Sequence, residues 1–177
     1  MRPRRYGPLR GALLLVVALL LQVGIVADLR LFDATGDLLL VFVVAVALVE
    51  GPDRGATWGF AAGIAYDLVL DTPFGLSALV YALVGFLVGA VGVARVRPAG
   101  WWPVTIAAVA GFLATFAYAV VGNLVGVGEP LGRVPSVALV VAAWTAVLVL
   151  PVMRLARWAL GSSEPDRIAM AFPGRLS

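Results

Sequence analysis

Six apolar segments separated by short polar stretches constrain this chain more than any other feature. The segments lie at about residues 11–27, 37–49, 55–70, 74–94, 101–127 and 136–158. Only 13% of the 177 residues are charged, against roughly 25% in a soluble domain. A backbone in lipid must satisfy its own hydrogen bonds, and runs this continuous do not suit barrel strands, so helices are predicted. We expect an all-α, polytopic membrane protein with six transmembrane helices, forming one domain over residues 1–160.

The second and third segments are short for a membrane span. About fifteen residues reach roughly 23 Å, less than the roughly 30 Å hydrocarbon core. A re-entrant hairpin is the alternative, but it would place Glu50, Asp53 and Arg54 at mid-membrane. Full crossings with local membrane thinning are therefore favoured.

Arginine positions predict the topology, because basic residues concentrate in cytoplasmic loops. With six crossings and an inside N-terminus, the inside parts hold Arg2, Arg4, Arg5, Arg10, Arg54, Arg95, Arg97, Arg154, Arg157, Arg167 and Arg175. The outside loops hold only Arg30 and Arg133. Both termini are thus predicted to be cytoplasmic, with residues 161–177 forming a short disordered tail. The same positions explain the net charge of +3 without a nucleic-acid partner.

A four-residue repeat runs through the third segment. Gly55, Gly59, Gly63, Asp67 and Asp71 recur inside apolar sequence, and this step stacks residues on one helix face. Glycines on such a face let another helix approach closely, and an acid in lipid is costly enough to need a purpose. The stripe therefore predicts the helix on which the bundle is organised.

The fourth segment carries a second stripe, and a short turn makes it the antiparallel neighbour of the third. The predicted register sets Asp67 opposite Ser77, Gly63 opposite Tyr81, Gly59 opposite Gly85, and Gly55 opposite Gly89. It defines a helix-packing groove of Gly55, Gly59, Gly63, Gly85 and Gly89. It also defines an intramembrane polar site for a partner, made of Asp67, Ser77 and Tyr81.

Plainer interpretations stay open beside these. Glycine stripes occur wherever small residues pack helices, Asp71 suits an interfacial turn, and Asp67 could simply reach water. Four scattered polar residues are expected to bond between helices rather than to bind a ligand. They are Gln22, Thr115, Tyr118 and Asn123.

The chain lacks the residue patterns that catalysis requires. It has no Cys and no His, which excludes disulfides, thiol chemistry and the commonest metal ligands. No zinc-protease motif, phosphate loop or acidic metal cluster occurs in the sequence. We therefore expect neither enzymatic activity nor a cofactor.

Several motifs together resemble the family of the rod shape-determining protein MreD across nearly the whole chain. They are Gly36-Asp37 opening the second segment, the inner turn over residues 50–55, the stripe Gly59 to Asp67, and residues 72–87, which hold the turn with Gly75 and the Tyr81 and Gly85 positions. Where the family usually has Pro-Asp, this chain has Gly36-Asp37. The first and the last two segments match in hydropathy alone.

The resemblance implies a non-enzymatic, multi-pass scaffold subunit of the cell-wall elongation machinery in the bacterial inner membrane. Its implied partners are the bitopic protein MreC, a peptidoglycan polymerase and transpeptidase, and indirectly the MreB filament, with membrane lipid around it. In this interpretation Asp67 and the glycines shape the bundle or a docking groove.

Two other functions are weighed against the scaffold. The family is thought to share its six-helix shape with the substrate-binding subunits of energy-coupling-factor vitamin transporters, which makes a small-molecule-binding subunit the runner-up. Tyr66, Asp67, Tyr118 and Asn123 would form its site under the outer loops. A proton-conducting protein that uses Asp67 is the third hypothesis.

Overall fold

Six helices build the part of the chain that the structure describes, as the sequence predicts. The computed structural model describes residues 7–24, 30–31, 34–69, 74–93, 100–124, 126 and 131–160. The helices are α1 (Gly7–Gly24), α2 (Leu38–Glu50), α3 (Pro52–Val69), α4 (Leu76–Val93), α5 (Trp102–Leu124) and α6 (Val134–Leu160). Two features between helices were not predicted. They are an antiparallel pair of two-residue strands, β1 (Arg30–Leu31) and β2 (Ala34–Thr35), and a 3-10 turn at Leu131–Arg133.

The outside of the helices is apolar, which reverses the pattern of a water-soluble protein. Leu13, Leu83 and Leu113 are each more than half exposed. Within the described residues, α5 and α6 are long and apolar enough to cross a membrane. Shorter apolar helices lie at Pro8–Gly24, Leu38–Glu50 and Leu76–Gly92.

Helix α2 forms the centre of the bundle. Every residue from Leu39 to Ala47 is at most 2% exposed, and the helix packs against α1, α3, α4, α5 and α6. A helix that is hydrophobic on all sides needs such an enclosed position. The membrane thinning predicted around this short helix is therefore unnecessary, because its neighbours rather than lipid surround it.

A tight reversal connects α2 to α3. Gly51 has a φ of 92°, a left-handed value that glycine adopts without strain. Its N–H donates to the carbonyl of Ala47 at 2.9 Å and so satisfies one of the last carbonyls of α2. Pro52 then begins α3, where its missing N–H costs nothing.

The α3–α4 hairpin brings main chain against main chain. A Cβ added at Gly55 would lie 2.5 Å from the carbonyl oxygen of Gly85. One added at Gly63 would lie 2.5 Å from the carbonyl carbon of Ser77. Added carbons at Gly59 and Gly89 would likewise meet backbone atoms, of Tyr81 and Pro52 respectively. A side chain at any of these four glycines would overlap backbone atoms.

The predicted register of the hairpin is wrong by one four-residue step. Gly59 faces Tyr81 instead of Gly85, and Gly55 faces Gly85 instead of Gly89. The shift places Asp67 beside the turn that precedes α4. The N–H groups at the start of that helix have no partner within the helix and are available to the carboxylate. Those donors, rather than the Ser77 hydroxyl, set the level of the carboxylate.

The bundle has two ends with different chemistry. At the tryptophan end, defined by Gly11, Trp58, Trp158 and Leu160, the start of α1 lies against α3 and the end of α6. Arg10 lies 5.4 Å from the ring centre of Trp158 there. At the opposite cavity end, defined by Gln22, Gly36, Asp37 and Asp67, α1 finishes and α2 begins. The candidate site lies at the cavity end.

Candidate functional site

A cavity of about 290 Å³ opens between the helices at the cavity end. Residues from all six helices or their caps line it. They are Gln22, Gly36, Asp37, Leu40, Tyr66, Val80, Tyr81, Ala114, Thr115, Tyr118, Val137 and Val141. The described lining residues combine one carboxylate, three phenols, an amide and a hydroxyl with aliphatic walls, and none of them is basic.

Asp37 lies at the start of α2 and joins it to α4. As the N-cap residue, it accepts from the N–H of Leu40 at 2.9 Å through Oδ1. The hydroxyl of Tyr81 donates to Oδ2 of the same carboxylate. One side chain therefore caps the central helix and also bonds to a tyrosine 44 positions away in the chain.

Gln22 fixes α1 to the same place. It is 4% exposed, its amide nitrogen donates to the carbonyl of Gly36 at 2.9 Å, and its amide oxygen accepts from the N–H of Leu38 at 2.7 Å. Both ends of the side chain thus satisfy buried backbone groups. Gly36 is required by packing, because a Cβ there would lie 2.6 Å from Cδ1 of Trp144.

Three tyrosines supply the aromatic part of the lining. Tyr66 lies near Gln22, Asp37 and Tyr118, and its ring centre is 6.1 Å from that of Tyr81 at an angle of 35°. Helices α3, α4 and α5 each contribute one of these rings. The cavity therefore has an aromatic side beside its single acidic group.

Asp67 lies outside the cavity lining and caps α4 from the end of α3. Its carboxylate accepts from the N–H groups of Gly75 at 2.8 Å, Ser77 at 3.2 Å and Ala78 at 3.4 Å. Gly75 has a φ of 98°, which lets the chain turn into α4. A carboxylate at a helix N-terminus is stabilised both by these donors and by the helix dipole. Asp67 is 4% exposed, so water does not supply this stabilisation.

Of the three residues that the sequence grouped as one polar site, Asp67 and Ser77 are in contact, and the side chain of Tyr81 is directed elsewhere. The carboxylate of Asp67 bonds to the backbone of Ser77, whose hydroxyl has no hydrogen-bond partner among the described residues. The side chain of Tyr81 leaves this contact and reaches Asp37. Asp71 lies outside the described residues, as does the tail at 161–177.

The scattered polar residues behave in two ways. Gln22 bonds between elements, as expected. Thr115 instead donates to Gly111 at 3.0 Å, and Asn123 donates to Ala119 at 2.8 Å, both within α5. Thr115 and Tyr118 also line the cavity. The alternative of a small-molecule site had grouped Tyr118 with Tyr66, which lines the cavity too, and with Asp67 and Asn123, which are not among the described lining residues.

Sequence reasoning missed Asp37 as a site residue, although a signal was present. An acidic residue directly before an apolar run is a helix N-cap signature. Its bond to Tyr81 had no such signal, because nothing local relates two positions so far apart. One carboxylate is too few for a metal site, and the described residues contain no group of three potential metal ligands.

Comparison with known protein families gives a match over most of the chain. The family model of the rod shape-determining protein MreD matches residues 6–159. No curated protein and no solved structure matches the chain.

Proposed function

The chain belongs to the MreD family of rod shape-determining proteins, and from that premise we propose that it is a non-enzymatic scaffold of the cell-wall elongation machinery. Family membership gives a role in rod-shape determination at the membrane. The proposal adds that the protein binds an MreC-like bitopic protein and helps organise the peptidoglycan polymerase and transpeptidase, with the MreB filament as an indirect partner. The match over residues 6–159 is the observation that carries it.

In this proposal residues 1–160 form one domain that crosses the bacterial inner membrane six times, with both chain ends in the cytoplasm. The contacts at the tryptophan end support an even number of crossings, because Gly11 near the start of α1 lies against Leu160 at the end of α6. Arg10, Arg54, Arg154 and Arg157 belong to helix ends on this side. Reporter fusions at the two termini should therefore give the same, cytoplasmic signal.

The glycine groove has a structural role in the proposal. Gly55, Gly59 and Gly63 meet the backbone of α4, so the groove is occupied within the chain. We assign it to holding the α3–α4 hairpin together, and we assign Asp67 to setting its register. The hairpin then presents its outer surface to partners as one rigid unit.

Co-purification tests the scaffold role directly. The full-length protein, tagged and expressed with the MreC-like protein of the same organism, should retain that protein through detergent extraction and affinity purification. An unrelated bitopic protein of similar expression level serves as the control and should be lost. Depletion in cells should produce rounded, lysis-prone cells, and rod-shaped growth without the protein would contradict the proposal.

A small-molecule-binding subunit of a vitamin transporter is the second candidate, and the cavity is the observation that favours it. Deletion would then abolish uptake of a vitamin without changing cell shape. Proton conduction through Asp67 is less well supported, because the contacts of Asp67 with the N–H groups at the start of α4 already explain a buried carboxylate.

A further inference from the structure

The cavity is a built site whose contacts do not depend on a partner protein. The amide nitrogen and the amide oxygen of Gln22 both make hydrogen bonds, and so do both carboxylate oxygens of Asp37. All six helices contribute side chains to the lining, and the N-cap of α2 supplies the carboxylate. Side chains held this firmly keep their positions before a ligand arrives, which lowers the entropic cost of binding.

The charges in the lining exclude one class of ligand. Among the described residues of the lining, Asp37 is the only ionisable group of either sign apart from the phenols. A phosphate or carboxylate ligand would meet the acceptor oxygens of Asp37, and none of the described lining residues is a basic side chain that could pair with it. The partial positive charge of the α2 N-terminus, roughly half a unit, offsets Asp37 only in part. The site therefore favours a cation.

The carboxylate retains capacity for a further hydrogen bond. A carboxylate offers about four acceptor positions. The N–H of Leu40 takes one and the hydroxyl of Tyr81 takes another, while the N–H of Leu39 is also close. At least one position remains for a donor from a ligand, and an ammonium group has donors and no acceptor.

The three tyrosines add a second way to recognise an ammonium group. Aromatic faces attract cations, and clusters of aromatic rings are a known solution for alkylated ammonium groups. The volume of about 290 Å³ corresponds to about ten water molecules at roughly 30 Å³ each. We propose that this cavity binds an organic ammonium ion of at most about ten non-hydrogen atoms, with Asp37 as its partner and Tyr66, Tyr81 and Tyr118 around it. The ion is either a free amine or the ammonium headgroup of an aminophospholipid.

Calorimetric titration of the full-length protein in a non-ionic detergent tests the proposal. The probes are choline, ethanolamine and tetramethylammonium chloride, with sodium acetate as the anion control. At least one ammonium probe should bind saturably, and acetate should not bind. For the lipid source, native mass spectrometry should show phosphatidylethanolamine retained in preference to phosphatidylglycerol. Binding of a free probe alone identifies a soluble amine, and retention of the lipid alone identifies the headgroup; either supports the proposal.

Two variants that each replace one aspartate by asparagine provide the test and its matched control. Asp37→Asn removes the charge and keeps a good N-cap for α2, so binding should weaken at least tenfold in a protein that still folds. Asp53→Asn removes an exposed carboxylate from the first turn of α3, at the other end of the bundle. Its affinity should stay within twofold of that of the unmodified protein.

A third variant covers the case in which Asp37→Asn does not fold. Tyr118→Leu removes one aromatic face from a partly exposed position and should weaken binding at least fivefold. The proposal is overturned if no ammonium probe binds and no aminophospholipid is retained. It is also overturned if acetate binds as well as choline, or if neither Asp37→Asn nor Tyr118→Leu changes the affinity.

Discussion

In the α3–α4 hairpin main chain meets main chain, whereas at the cavity end side chains from distant segments meet around a space. The hairpin packs closely because its glycines have no side chain, and an added Cβ at Gly59 would meet the backbone of Tyr81. The cavity end depends on particular polar side chains, because Gln22 and Asp37 satisfy buried polar groups of other elements. Steric exclusion therefore determines which residues the hairpin can accept, and hydrogen bonding determines which residues the cavity end can accept.

The difference predicts how each region tolerates change. Backbone cannot move aside locally, so the hairpin should respond steeply to a single added carbon. A side-chain bond can be removed with less disturbance around it, so the cavity end should respond in smaller steps. The following substitutions test this ranking, from the largest expected effect to the smallest.

Gly59→Ala should have the largest effect. The new Cβ would meet the carbonyl of Tyr81 and lie 3.0 Å from Cα of Ala82, so the two helices must separate. We expect the free energy of unfolding to fall by about 3 kcal/mol, at the upper end of the cost of overpacking. Thermal unfolding in detergent measures it. Gly24→Ala is the matched control, because nothing lies within 4 Å of a Cβ there; equal losses in both variants would remove the steric argument.

Asp67→Ala should come next, because it leaves the first N–H groups of α4 without their acceptor. Buried unsatisfied donors and the lost charge–dipole interaction together should cost about 2 to 3 kcal/mol. Asp67→Asn keeps one acceptor oxygen and should lose about half as much. Hydrogen exchange at the start of α4 should accelerate in the same order. Faster exchange in the asparagine variant than in the alanine variant would contradict the capping role.

Gln22→Leu tests the cavity end. The substitution preserves apolar volume but strands the carbonyl of Gly36 and the N–H of Leu38, at a cost of about 2 kcal/mol. Thr115→Val removes a bond within α5 only and should cost less than about 0.5 kcal/mol, within the range of substitutions that disturb no special feature. A cost for Gln22→Leu above that of Gly59→Ala would reverse the ranking of the two regions.

Tyr81→Phe should have the smallest effect of the substitutions that remove a contact between helices. It removes the hydroxyl that donates to Asp37 and leaves the ring in place, which should cost about 1 kcal/mol. A double-mutant cycle with Asp37→Asn isolates the coupling between the two side chains. Fully additive losses would mean that the bond contributes nothing to stability.

The two regions also differ in how far the sequence predicted them. The hairpin is local: a short turn joins two stripes, so its helices and their contact follow from spacing alone. The register failed by one step because side-chain pairing was assumed, while the helical N–H groups of α4 positioned Asp67. The site at the cavity end was predicted only in part, since the alternative small-molecule site included Tyr66 and Tyr118. Gln22, Asp37 and Tyr81 were not grouped, because they belong to separate helices and no local pattern relates them.

By itself the sequence determined the number of helices, their apolar exterior and the pairing of α3 with α4, because hydropathy and four-residue spacing act over short stretches of chain. Only the tertiary structure decided that α2 is central, that Asp67 caps a helix rather than meeting a hydroxyl, and that a carboxylate and three tyrosines share one cavity. Those features depend on which surfaces meet across the bundle. Packing of the whole molecule selects those surfaces, and no local pattern encodes the choice.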